Sequence, residues 1–279
     1  MAQLLAKVVT PHNINKAWRR FDTDKTSWKP GVRVSDVARD MTYHLMTLAH
    51  EMEQGSYQPS ALRRFTLVKA NGKKRDIAAL CLRDKVAQRA VLQVLEPIVE
   101  PHMHSDSFGF RPGRNTQMAY SRARTYVTEQ RPWLVRADIE GFFDNILLSS
   151  LKRFLRINVN DQNLLILLFT WINAYSTTRA RLWRRAKGLP QGGILSPLLG
   201  NWYLGQLDER LQKKKIKFIR YADDILLCCP SEAAAQKALN QLEKNVKKLG
   251  LRLNPDKTTI VFSNPKVIYL GHKMPKVKQ

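Results

Sequence analysis

The sequence predicts an α+β fold organised around an antiparallel sheet. Helices and strands follow one another in mixed order rather than as repeated strand–helix units. Strand pairs close through tight turns, at Asn71-Gly72 and around Tyr221-Ala222-Asp223-Asp224, which is the mark of hairpins. The 279 residues, 44% hydrophobic and 25% charged, suffice for a large core in one elaborated domain or two packed subdomains.

Each element has its own signal. The first thirty residues are polar and dotted with aromatics (Trp18, Phe21, Trp28), ending at Lys29-Pro30-Gly31. Residues 35–54 read as one helix, because Val37, Met41, Leu45, Leu48 and Met52 keep helical spacing and Gly55 stops it. Arg64–Val68 and Arg75–Ala78 form a hairpin about Ala70-Asn71-Gly72. Residues 83–100 read as an amphipathic helix ending near Pro97, and 115–130 as another. Leu134–Ile139 is a short apolar strand carrying Asp138. Residues 148–176 are mostly helical, and 197–215 form a helix with a basic end. A hairpin spans 216–229. Residues 231–249 are helical, closed by Gly250. Short strands follow at 258–262 and 267–270. No internal repeat, low-complexity tract or long linker interrupts the chain.

Charge is the compositional outlier. Forty-seven Lys and Arg against 23 Asp and Glu give +24, which favours a polyanionic partner because each phosphate contact releases condensed counterions. A membrane surface is also polyanionic, but no segment reaches the ~18 apolar residues needed to span a bilayer. The N-terminus lacks the pattern of a secretory signal. Cys81, Cys228 and Cys229 have no metal-ligand spacing and read as reduced thiols of a cytoplasmic protein. His102 and His104 have no zinc-like partners and read as incidental.

The chemistry centres on Asp223-Asp224. An isolated Asp pair at a turn is most simply a polar loop. Two adjacent carboxylates repel, however, and Mg²⁺ takes hard carboxylate oxygens. Asp138 ends a strand far away in sequence. If those strands are neighbours in one sheet, three carboxylates converge. Such a cluster could hold two Mg²⁺ ions for phosphoryl transfer, and the basic surface suits a nucleic-acid substrate.

Here the residues match a family. Gly109-Phe110-Arg111-Pro112-Gly113-Arg114, Ala137-Asp138-Ile139-Glu140-Gly141-Phe142-Phe143-Asp144, Gly188–Pro197 (GLPQGGILSP), Arg220-Tyr221-Ala222-Asp223-Asp224, Asn254-Pro255-Asp256-Lys257-Thr258 and Tyr269-Leu270-Gly271 stand in order. Together they resemble the motif blocks of reverse transcriptases, and specifically of the bacterial ones related to group II introns. The resemblance covers roughly residues 60–271. It implies a right-hand polymerase of fingers and palm with an antiparallel palm sheet. It further implies an RNA-directed DNA polymerase using two Mg²⁺ ions, with Mn²⁺ as substitute, an RNA template, a DNA or RNA primer, and dNTPs.

The same resemblance assigns roles. Asp138, Asp223 and Asp224 would be the catalytic metal ligands, with the Ile139 backbone carbonyl as an extra ligand. Phe143 would be the aromatic gate under the sugar, clashing with a ribonucleotide 2′-OH; one of Phe142 and Phe143 must face away from the core. Lys69 and Arg75 would grip triphosphate, Gln191 would contact the nucleotide, and Lys257 would donate to the leaving pyrophosphate. Gly192-Gly193 would allow close backbone approach. Arg111, Arg114, Arg184 and Arg185 would meet template or primer phosphate. Glu140, two residues from Asp138 on one strand face, could join the metal site, and Asp144 reads as a structural acid.

The expected organisation is residues 1–130 for the N-terminal region and fingers, and 131–147 for the first palm strand. Residues 148–200 would form fingers/palm helices and the nucleotide loop, and 201–279 the remaining palm. The wording of Leu189–Pro197 is intron-like. The chain stops eight residues after Gly271, so the expectation is a palm without a thumb. A protein partner or structured RNA would then supply the grip. A stand-alone enzyme in host defence, such as CRISPR spacer acquisition from RNA or anti-phage defence, is the preferred setting. The alternatives are an intron mobility fragment, an idle RNA-binding scaffold, and template-independent or protein-primed synthesis.

Overall fold

The computed structural model describes residues 4–68, 74–175, 188–190 and 192–277, with backbone only at 63–65, 67, 74–78 and 175. In chain order the elements begin with α1 (Leu4–Val8), α2 (Pro11–Trp18), α3 (Val34–Arg39) and α4 (Met41–Glu53). They continue through β1 (Arg63–Val68), β2 (Lys74–Ala79), α5 (Leu82–Val99), α6 (Thr116–Thr128), β3 (Trp133–Asp138) and α7 (Phe142–Asn145). Then come α8 (Leu148–Asn158), α9 (Gln162–Tyr175), α10 (Ser196–Lys213), β4 (Lys217–Tyr221) and β5 (Asp224–Cys229). The chain closes with α11 (Glu232–Lys248), β6 (Thr259–Phe262), β7 (Ile268–Tyr269) and β8 (His272–Lys273). Among the described residues, no helix is long and apolar enough to cross a membrane.

The chain divides into two compact units: residues 1–99 with 146–196, and residues 100–145 with 197–279. Residues 100–130, expected with the fingers, therefore belong to the second unit. The cause is packing: Ala119, Ala123, Tyr126 and Val127 of α6 join Leu134, Ile219, Leu226 and Cys228 of the sheet in one core.

In the first unit, α1, α2, α4 and α5 pack together and the β1–β2 hairpin is antiparallel. The predicted 35–54 helix is interrupted. Asp40 adopts φ −135°, ψ 58° and its side chain accepts from the Tyr43 N–H, so it caps α4 instead of continuing α3. The N-terminal region, given no helix by its pattern, forms α1 and α2, whose Leu5, Val8, Ile14 and Ala17 are buried. A buried Asp84 accepts from the Tyr57 hydroxyl and the Ser60 N–H, and Tyr57 accepts from Trp171 of α9.

The second unit holds the antiparallel four-stranded sheet, in order β4-β5-β3-β6. Cys228 and Cys229 lie on opposite faces of β5, yet both are buried. Leu134, Ile219, Leu226 and Cys228 face α6, whereas the other face packs against α11. Both faces being covered explains why β5 reads as an unbroken apolar run rather than an alternating one.

Candidate active site

The sheet brings distant acids together. β3 and β5 pair antiparallel so that Asp138 and Asp224 are register partners at the end of their strands. β4 and β5 pair through Tyr221 and Asp224, leaving Ala222 and Asp223 as a two-residue loop. The Ile139 N–H donates to the Asp223 carbonyl at 3.1 Å, and the Asn254 N–H donates to the Asp138 carbonyl at 2.8 Å. The hairpin tip, the end of β3 and the segment before Lys257 are thus tied backbone to backbone.

Electrostatics at this end of the sheet are those of crowded acids. Burial, first, and then the neighbouring Asp138 push the Asp224 carboxyl up to about 6, with Asp223 adding to the rise and Arg136 and Lys257 opposing it. The Lys257 ammonium donates to Asp138 Oδ2 at 2.8 Å, and this hydrogen bond raises the Lys257 pKa. Among the described residues, no group of three or more His, Cys, Asp or Glu side chains stands close enough to hold a metal ion. The expected three-carboxylate cluster is therefore assembled by the backbone but not closed by the side chains, one of which is engaged by Lys257. The donor set still fits a divalent cation. It offers hard carboxylate oxygens whose mutual repulsion a cation would relieve.

The two phenylalanines divide as expected. Phe142 is buried and Phe143 half-buried. Gly200 of α10 makes room for both rings: a Cβ there would stand 3.0 Å from Phe142 Cε1 and 3.1 Å from Phe143 Cε1. The exposed ring of Phe110 meets Phe143 edge-on, with centroids 6.4 Å apart. Glu140 follows Asp138 by two residues, with the buried Ile139 between them. Its N–H donates to the Arg252 carbonyl and its exposed side chain opens the turn that follows β3.

Arg111 also departs from its expected phosphate contact. Its side chain is buried and forks onto both Glu100 carboxylate oxygens, while Nη1 donates to the carbonyls of His104 and Ser107 at 2.6 Å. With its donors engaged inside the fold, it braces the loop before α6. Arg114 is half-buried, donates to the Ser105 and Ser107 carbonyls and lies over the Phe108 ring. In the first unit, Gly193 has a local cause: a Cβ there would stand 2.6 Å from Ser196 Oγ, which donates to the Pro190 carbonyl. Lys69, Arg184, Arg185 and Gln191 lie outside the described residues, as does the side chain of Arg75, whose backbone is in β2.

Sequence reasoning gave no role to the polar cluster beneath the hairpin. Arg220, Asp208 and Asn201 are almost completely buried. Arg220 forks onto Asp208 (Nε–Oδ1 2.8 Å, Nη2–Oδ2 2.6 Å), and its Nη1 donates to Asn201 Oδ1 at 2.8 Å and to the Ala222 carbonyl at 3.1 Å. Ala222 has φ +57°, a left-handed conformation that costs a non-glycine residue about 1 kcal/mol. A signal was present in the sequence: Asn201 and Asp208 are seven apart on α10, polar residues on the stripe that buries Leu204, Leu207 and Leu211.

A family model described as reverse transcriptase (RNA-dependent DNA polymerase) matches residues 67–274. Protein YkfC of Escherichia coli is 29% identical over 314 residues, spanning 98% of this chain and 82% of that protein. The group II intron-encoded protein LtrA of Lactococcus lactis is 32% identical over 203 residues, spanning 72% of this chain but 33% of LtrA. Among solved structures, a partial Cas6-RT-Cas1–Cas2 complex matches with TM-score 0.50 and 24% identity, over 88% of this chain and 43% of that one. Telomerase from Candida tropicalis matches with TM-score 0.54 and 13% identity, over 73% and 41%. At those identities the structural matches speak for the fold.

Proposed function

The chain belongs to the reverse transcriptase (RNA-dependent DNA polymerase) family, and from that premise we propose that it copies RNA into DNA at the end of the β4-β5-β3-β6 sheet. The observation that carries the reading is the register pairing of Asp138 with Asp224, with Asp223 in the adjoining loop. Reverse transcriptases use divalent metal ions. Here Asp138, Asp223 and Asp224, with the Ile139 carbonyl, would hold two Mg²⁺ ions, or Mn²⁺ in their place. When bound, these lower the pKa of the attacking primer hydroxyl and stabilise the leaving pyrophosphate.

The chain's own residues do the rest by position and charge. Phe143 would face the sugar and exclude a 2′-OH. Lys257, now on Asp138, is long enough to turn to the departing pyrophosphate. Lys69, Arg75 and Gln191 would hold the incoming nucleotide. Arg114, Arg184 and Arg185 would meet primer or template phosphate, which the +24 charge favours, and Arg111 is withdrawn from that role.

The setting we propose is RNA-templated DNA synthesis in host defence, in the cytoplasm, with a protein partner or structured RNA helping to hold the duplex. Likeness in fold to a chain of a partial Cas6-RT-Cas1–Cas2 complex and three free cysteines support this. The 32% identity to LtrA favours intron mobility as the second reading. Primer extension on a defined RNA template with Mg²⁺ and dNTPs tests the activity. Products complementary to the template are expected. Template-independent sequences, or RNA binding without incorporation by folded protein, would overturn it. An adjacent CRISPR integrase gene, an intron RNA or a toxin gene would separate the settings.

A further inference from the structure

Beneath the hairpin tip lies an ion pair that the chemistry of nucleotidyl transfer does not itself require. A buried Arg–Asp pair is a poor source of stability, because desolvating both charges offsets most of their attraction. Its geometry is nevertheless complete. Arg220 directs Nε and Nη2 to Asp208 and Nη1 to Asn201, and the same Nη1 reaches the Ala222 carbonyl. Asp208 and Asn201 stand on one face of α10, so the guanidinium is oriented by a rigid element rather than by a loop.

The backbone of the tip is held from the other side too. The Phe108 N–H donates to the Arg220 carbonyl at 2.8 Å, and the Arg220 N–H donates to the Asp106 carbonyl at 2.9 Å. Asn201 Nδ2 donates to the Gly109 carbonyl at 2.5 Å. Gly109 lies flat against the turn: a Cβ there would overlap the Ala222 nitrogen and stand 2.9 Å from the Tyr221 carbonyl carbon. The strand end at Arg220 and the close approach of Gly109 thus brace both sides of Ala222, the one residue in the loop with a left-handed conformation, immediately before Asp223.

We propose that Arg220 is a positioning residue: oriented by Asp208 and Asn201, its guanidinium pins the Ala222 carbonyl, keeps Ala222 left-handed, and so aims the Asp223 and Asp224 carboxylates at the cation they share. The inference rests on the reading of those acids as metal ligands. The Arg220 guanidinium is held by Asp208, Asn201 and the Ala222 carbonyl and not by either acid of the tip. Its effect is transmitted through one peptide unit, which ties it to metal affinity rather than to nucleotide or RNA binding.

The test uses the full chain and Mn²⁺ alone as probe, titrated by electron paramagnetic resonance. Mg²⁺ dependence of primer extension is measured in parallel. Arg220→Lys keeps the charge but loses the fork, and should weaken Mn²⁺ binding about tenfold, the usual effect of losing a group that orients a ligand. RNA affinity should be unchanged. Adding Ala222→Gly should recover most of the loss, because glycine adopts φ +57° without help. A purely structural Arg220 would not be rescued in this way. If Arg220→Lys does not fold, Asn201→Ala, which leaves the Arg220–Asp208 pair in place, carries the same prediction with a smaller shift. A folded variant with wild-type Mn²⁺ affinity, or a failure of Ala222→Gly to restore it, would overturn the proposal. A wild-type chain that binds Mn²⁺ through Asp223 yet extends no primer would remove the polymerase reading and leave this inference standing.

Discussion

Asp138 and Asp224 oppose each other directly across β3 and β5, although 86 residues separate them in the chain. Each belongs to a different strand end, and neither could be placed by local pattern. Their opposition places two acids side by side at the end of a sheet covered on both faces, where burial and the neighbouring Asp138 raise the Asp224 carboxyl pKa.

Asp223 should be indispensable to synthesis and dispensable for RNA binding. Asp223→Ala is expected to lower primer extension by about a thousandfold or more, the scale on which electrostatic stabilisation of a transition state acts. Filter binding of RNA should change less than threefold, because phosphate contacts are made elsewhere. Retained synthesis would refute the site.

Asp224 should show a conflict between stability and function. Its carboxyl titrates at about 6 in the fold against 3.8 ordinarily. Between those values the folded chain holds a proton that the unfolded chain has released. Stability contributed at this site is therefore greatest below pH 4, falls as pH rises, and is fully lost above about pH 6. Asp224→Asn should raise metal-free stability at pH 7.5 by about 2 kcal/mol, from two pKa units less solvent screening, while abolishing synthesis. Urea unfolding at pH 4 and pH 7.5 checks the sign, since the gain should vanish at the lower pH. Mn²⁺ affinity of the natural protein should rise through pH 6 as the proton leaves.

Phe143 should govern sugar selection. Phe143→Val is expected to raise ribonucleotide incorporation relative to deoxyribonucleotide about 10- to 100-fold, the discrimination a steric pocket wall of this size supplies. The ratio of kcat/KM for the two nucleotides is the measurement. An unchanged ratio would mean that Phe143 is only a packing partner of Phe142 and Gly200.

Arg111 should behave as a structural residue. Arg111→Ala leaves Glu100 without its fork and should destabilise the chain by about 3 kcal/mol, the scale for breaking a buried pair. Per folded molecule, RNA affinity and its dependence on salt should stay as they were, because no phosphate contact has been removed. A reduced salt slope would return Arg111 to the nucleic-acid surface.

Much of the chemistry was legible in the chain itself. The Asn71-Gly72 and Ala222-Asp223 dipeptides announced the antiparallel pairs β1–β2 and β4–β5, the spacing of Ala238, Leu242 and Val246 announced α11, and the pairing of Phe142 with Phe143 implied one buried and one outward ring. These signals are local: backbone conformation and side-chain period are set by residues a few positions apart. The break at Asp40 was less legible, since the helical spacing of Val37 and Met41 persists across it and only the capping geometry at Tyr43 ends the run.

By itself, the sequence determined the acids, their motif order, the turn residues and the helical faces, because each depends on local propensity and chemical type. Only the tertiary structure decided which charges are spent inside the fold. Arg111 meets Glu100 and Arg220 meets Asp208 through pairings across a loop, a strand and a helix. An arginine's chemistry is the same on a phosphate as on a buried carboxylate. What separates the two is whether folding leaves it in water, and that is settled by packing between elements distant in the chain.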